Sequence, residues 1–151
     1  MSYERVGTVL KEVCDFHRRE SDLFGRLAQE VRQPRAKLLL ESMSDHERQL
    51  AAGLSEYVAG APVGLLNTWL GRQLDLPSAL AISDPELPDD ATVDELLQLG
   101  LDLDDRLLEV LQECADCCGP DGVRQLFRTF VEQQQQEERL LARQAMRAID
   151  L

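Results

Sequence analysis

Residues 38–57 read LLLESMSDHERQLAAGLSEY, and the reading of this stretch decides the fold. Leu39, Met43, Leu50, Leu54 and Tyr57 follow one another at steps of three, four and seven residues. That spacing gathers side chains on one face of an α-helix. His46 and Glu47 interrupt the stripe at its middle. A polar pair halfway along such a helix is where bundles build metal and cofactor sites. The stretch therefore predicts an all-α architecture and marks a candidate site within it.

Working outward, the same period runs through Val6, Val9, Val13, Phe16, Leu23, Leu27 and Val31, which predicts a helix A over about residues 3–32. Pro34 disfavours helix in the residue before it and suits the first turn of a new one, so helix B spans about 34–59. A connection this short makes A and B antiparallel neighbours. Gly60, Pro62 and Gly64 end helix B. Residues 60–91 form a crossover carrying Pro62, Pro77, Pro85 and Pro88, with GLLNTWLGRQL (64–74) as one short amphipathic helix around Trp69. The remainder is too apolar for a free linker and is expected to lie against the bundle. Thr92 with Glu95 has capping-box spacing and opens helix C, about 92–118. Gly119, Pro120 and Gly122 make a tight restart, and helix D covers about 121–148. Connections that run short, long, short describe a single domain, residues 1–151, in which the long crossover lays C parallel to B.

The totals agree. The chain has 151 residues, 44% of them hydrophobic, which suits one domain with a real core. Leucine dominates and β-branched residues are sparse, favouring helix over strand. The formal net charge of −12 repels phosphate backbones and anionic membranes, so neither nucleic acid nor membrane is an expected partner. No apolar run reaches the ~20 residues of a membrane span. MSYERVGTVLKEV has no basic start followed by an apolar core, so the expected compartment is cytoplasmic and Cys14, Cys114, Cys117 and Cys118 are expected as reduced thiols.

Two segments, LLLESMSDHERQL in helix B and LFRTFVEQQQQEERLL in helix D, resemble the ferritin-like, rubrerythrin-like superfamily. In that family B and D each carry Glu-x-x-His, while A and C each add a Glu. The resemblance implies a four-helix bundle with one long crossover, and it makes Glu47 and Glu138 the motif glutamates. Positions 50 and 141, where it places the histidines, are Leu50 and Leu141. It therefore implies a degenerate di-iron site.

Counting equally from the A–B turn near Gln33 sets Glu20 opposite His46 across the seam, with Asp45 and Glu47 pointing elsewhere and His17 at the helix edge. On the C–D side the comparable positions are Asp104, Glu109, Gln134, Glu137 and Glu138. Glu20, His46, Glu47, Asp104 and Glu138 form the candidate ligand set for Fe or Mn, although an oxygen-rich site suits Mg, Ca or Mn better than Fe or Zn. Cys114, Cys117 and Cys118 close helix C and could form a thiol sensor, although a helix C-terminus does not favour thiolate. Two histidines are too few for a haemerythrin-like carrier, and no Ser–His–Asp order, phosphate loop or dinucleotide fingerprint is present. The preferred reading is a non-catalytic bundle without cofactor, acting through a protein partner or a homodimer, with Trp69, Leu65, Leu66 and Leu70 supplying apolar contact surface. The alternative is a carboxylate-rich metal-binding protein.

Overall fold

The structure, a computed structural model, describes residues 2–117 and 119–150. Four long helices dominate: α1 (Val6–Glu30), α2 (Pro34–Gly60), α5 (Val93–Ala115) and α6 (Asp121–Asp150). Between α2 and α5 lie the single turns α3 (Val63–Leu66) and α4 (Leu76–Ala79), with a strand β2 (Trp69–Leu74) between them. A strand β1 (Ser2–Arg5) precedes α1.

The first hairpin follows from its sequence. Val6, Val9, Leu10, Val13, Phe16, Leu23 and Phe24 bury one face of α1, and Ala36, Leu39, Leu40 and Met43 do the same for α2. Pro34 occupies the first turn of α2, where its missing N–H costs nothing. Hydrogen bonds zip the two helices together. Cys14 Sγ donates to the Ala51 carbonyl at 3.3 Å. Ser21 and Ser44 each donate to the other's backbone carbonyl, both at 2.8 Å.

The crossover departs from expectation. GLLNTWLGRQL does not form one helix: only its start lies in α3, and residues 69–74 are the strand β2. β2 pairs antiparallel with β1, matching Ser2 to Leu74, Tyr3 to Gln73 and Arg5 to Trp69, with a bulge between Tyr3 and Arg5. Leu70 and Leu74 turn inward, so Leu70 is buried and is not part of an outer contact surface. Trp69 remains exposed, with the Arg5 guanidinium 4.6 Å from its ring centroid. The same pairing explains why α1 begins at Val6 rather than Tyr3: residues 2–5 are already spent on the ribbon, and the Val6 N–H bonds the Thr68 carbonyl at 2.9 Å. Strand pairing over more than sixty residues of chain overrides local helical period.

As expected, the rest of the crossover lies on the bundle. Leu76 and Leu80 are buried, the Arg32 N–H donates to the Asp89 carbonyl at 2.8 Å, and the Arg106 guanidinium donates to the carbonyls of Ala79 and Ala81. Thr92 and Glu95 make both halves of the capping box. Replacing Thr92 by Ala should lower stability by about 1 kcal/mol, read from urea unfolding, by leaving the Glu95 N–H without its partner. α5 stops at Ala115, three residues before the expected end, because the chain turns at Asp116 and Cys117 toward Gly119 and Pro120. Cys118 lies outside the described residues. The C-terminal halves of α2 and α5 sit at one level with the N-terminal halves of α1 and α6, so α5 runs parallel to α2. Gly100 lets α5 come close to its neighbours. A Cβ there would stand 2.7 Å from a Leu141 methyl carbon and 2.9 Å from the Met43 methyl.

Candidate metal centre

The polar residues cluster halfway along the bundle, but not in the pairing that hairpin counting suggests. Glu20 does not pair with His46. His17 Nδ1 lies 2.6 Å from Glu47 Oε2 and 3.8 Å from Glu20 Oε1. His46 Nε2 instead bonds the Glu137 carboxylate of α6. Counting from a turn finds residues at equal height but not on the same face. Each residue rotates a helix by about 100°. His46 therefore looks toward α6, and Glu47, one step on, looks toward α1.

His17, Glu20 and Glu47 offer one ligand atom each, all within 4.8 Å of one another, and all three residues are buried. Glu20 is the deepest, at 0% exposure, and neither of its oxygens has a hydrogen-bond partner among the described residues. A buried carboxyl with both oxygens unmatched is costly unless it carries a proton or meets a cation. Burial raises the Glu20 pKa well above the ordinary carboxylate range, and the nearby Glu47 and Asp104 raise it further.

Asp104 of α5 is buried beside this trio. Its pKa is pushed up to about 8, first by burial and then by Glu47 and Glu138. The Gln134 side-chain amide, buried on α6, donates to the Asp104 backbone carbonyl at 3.5 Å. Glu138 is half-buried and raised to about 7, by burial and by contact with the Asp105 carboxyl. One of its oxygens is buried without a hydrogen-bond partner among the described residues. Glu109 is exposed and takes no part. The His46 pKa is raised, mainly by its bond to Glu137.

Of the sequence candidates, Glu20 and Glu47 meet directly, Asp104 adjoins them, and His46 and Glu137 close the side toward α6 in one small cavity with them. Glu138 stands beside Asp104 and Asp105. His17 was assigned to the helix edge, and the structure buries it at the centre. The overlooked signal is His17-x-x-Glu20: three residues apart on a helix share a face. Position 50 of α2 is Leu50, and the histidine that reaches Glu47 comes from α1.

The cysteines offer little to a sensor. Cys14, Cys114 and Cys117 are buried and free. Burial pushes the Cys114 thiol up to about 12, which keeps it protonated and slow to react.

No protein-family model matches the chain, and no curated protein matches it in sequence. Among solved structures it is similar to the crystal structure, at 2.30 Å resolution, of a "putative ferritin-like diiron-carboxylate protein" from Thermotoga maritima. The TM-score is 0.64 over 97% of each chain, at 13% sequence identity. None of the described helices is long and apolar enough to cross a membrane. Four helices in the order short, long, short connection, a polar layer at mid-height and this structural match together assign the chain the fold of the ferritin-like superfamily.

Proposed function

We propose that the chain is a metal-binding protein that holds a divalent transition-metal ion through His17 Nδ1 and the carboxylates of Glu20 and Glu47. The observation that carries the reading is Glu20, fully buried with both oxygens unmatched and facing a histidine and a second carboxylate. One nitrogen and two carboxylates suit iron or manganese, and Asp104 adds a third acidic group from the other hairpin. The donors fit one cation better than a pair capped by two histidines, because Leu50 and Leu141 stand where the two family motifs would put nitrogen. The diiron description belongs to the structural neighbour; here it supports the choice of iron as the first ion to test.

A bound iron or manganese ion would supply redox or Lewis-acid chemistry in the middle of the bundle. The chain's own residues prepare the place. Burial and the neighbouring carboxylates raise the Glu20 and Asp104 pKa values and favour their protonated forms until positive charge arrives. The His46–Glu137 bond ties α2 to α6 along one side, and Gln134 ties α6 to the Asp104 backbone. Leu40 and Met43 of α2 are buried in the neighbouring core.

The test is metal analysis of protein purified without chelator and then offered Fe(II) or Mn(II). A single equivalent per chain is expected, reduced by about tenfold or more in affinity in His17→Ala with helicity unchanged. Failure of the wild-type chain to take up either ion would overturn the reading.

A second reading, self-association of the bundle, rests on a different observation. Leu38, Met146 and Ile149 are exposed at the end of the molecule where the Arg35 guanidinium donates to the Ile149 carbonyl. Sizing over a range of concentrations tests it; a mass that stays at one chain and is unaffected by Leu38→Glu would dispose of it.

A further inference from the structure

Below the carboxylate layer, between all four long helices, lies a cavity of about 490 Å³. Leu10 and Val13 of α1, Leu50 and Leu54 of α2, and Leu107 and Leu111 of α5 give it an apolar side, while His17, Gln134 and Glu137 are polar members of its lining. Leu50, at the position where the resemblance places a histidine, faces this space as hydrocarbon. His17 is shared between the two regions. Its Nδ1 faces Glu47, and the residue also forms part of the cavity wall.

The cavity opens between α2 and α6. Gln49, Gly53 and Tyr57 are exposed on one lip, and Gln133 and Gln136 on the other. Apart from the backbone of its own helix and its chain neighbours, nothing lies within 4 Å of where a Gly53 Cβ would stand, so the lip is open at its centre. The polar groups around the space are mostly side-chain amides, and no Lys or Arg is among the lining residues. The carboxylate of Glu137 is already bonded to His46.

We propose that this cavity binds a neutral, largely apolar small molecule with one hydrogen-bonding head group, admitted between α2 and α6 past Gly53. The volume lies within the range of small-molecule sites, which are mostly apolar with a few placed polar groups. Amides both donate and accept, so they suit a hydroxyl or amide head. An anionic head would meet the Glu137 carboxylate and the acidic layer above with no cation to pair with. A cationic head would find that carboxylate already engaged.

The cavity is formed by the chain without any ion, so its test uses protein stripped of metal by chelator. Calorimetric titration with 1-octanol, sodium octanoate and octylammonium is compared for the wild-type chain and Gly53→Leu. The space around Gly53 accepts the leucine, and a helix gains from losing a glycine, so the variant should keep its helicity and a Tm no lower than wild type. Saturable 1:1 binding of octanol is expected, about tenfold tighter than octanoate or octylammonium, and weakened about tenfold or more by Gly53→Leu. Should that variant lose helix, Gln133→Trp on the opposite lip takes its place. No saturable octanol binding, binding unchanged by the lip variant, or tighter binding of either charged probe would overturn the proposal.

Discussion

Glu20→Met is expected to make the metal-free protein more stable and the metal-loaded protein less stable than wild type. Without a cation, the Glu20 carboxyl is buried with neither oxygen matched. Removing such a group in favour of an apolar side chain of similar length should raise stability by about 1–3 kcal/mol, since the desolvation cost disappears and the volume is kept. With a cation, the order reverses. An ion that binds only the folded state stabilises by RT ln(1 + [L]/Kd), about 4 kcal/mol at a thousandfold excess over Kd. The variant forfeits most of that. Urea unfolding with chelator and with added Fe(II) or Mn(II), on both proteins, gives the four midpoints required. Equal responses of the two proteins to the ion would remove Glu20 from the site. A variant less stable than wild type under chelator would show that Glu20 finds compensation in the folded state.

The second large effect is a loss of stability of the metal-free protein as pH rises. Asp104 has a folded pKa of about 8 against an ordinary 3.8, Glu138 one of about 7 against 4.5, and Glu20 is raised as well. A group whose pKa is higher when folded binds its proton more tightly in the folded state. Its contribution is fully present below the unfolded pKa and is lost as pH climbs through the folded value. For Asp104 that window runs from about pH 4 to about pH 8. A shift of that size corresponds to on the order of 5 kcal/mol across the window. Stability under chelator should therefore fall steadily between pH 5 and pH 8.5 in urea titrations. Asp104→Asn, which cannot ionise, should flatten most of the slope. Bound metal should flatten it too, because the cation takes the place of the protons. A flat profile in the metal-free wild-type chain would mean that these carboxyls are solvated.

These two effects come from residues that were only partly visible in the sequence. Glu47 and Glu138 could be picked out because the resemblance makes them the motif glutamates, Glu20 because counting from the A–B turn sets it at the level of His46, and Asp104 because it is the comparable position on the C–D side. Their partners could not. His17 and His46 each sit near a carboxylate in sequence, and which histidine meets which acid depends on the rotation of one helix against another. The observed contacts are His17 with Glu47 and His46 with Glu137. Hairpin symmetry constrains height along the axis and leaves that rotation free.

What the chain determined by itself is the set of helices and the order of their connections. Apolar residues at steps of three and four, Pro34 in a first turn, the Thr92–Glu95 cap and the Gly119–Pro120 break are local instructions read within a few residues. Packing those faces together then allows few arrangements, and the ferritin-like one follows from the long middle connection. Tertiary structure decided the rest. It made residues 69–74 a strand, because residues 2–5 arrive as a partner. It buried His17, brought Glu20 to a place where neither oxygen is matched, and left an apolar chamber beside Leu50. Each of these outcomes depends on groups far apart in the chain meeting at a particular angle. Helical period and spacing carry no record of that angle.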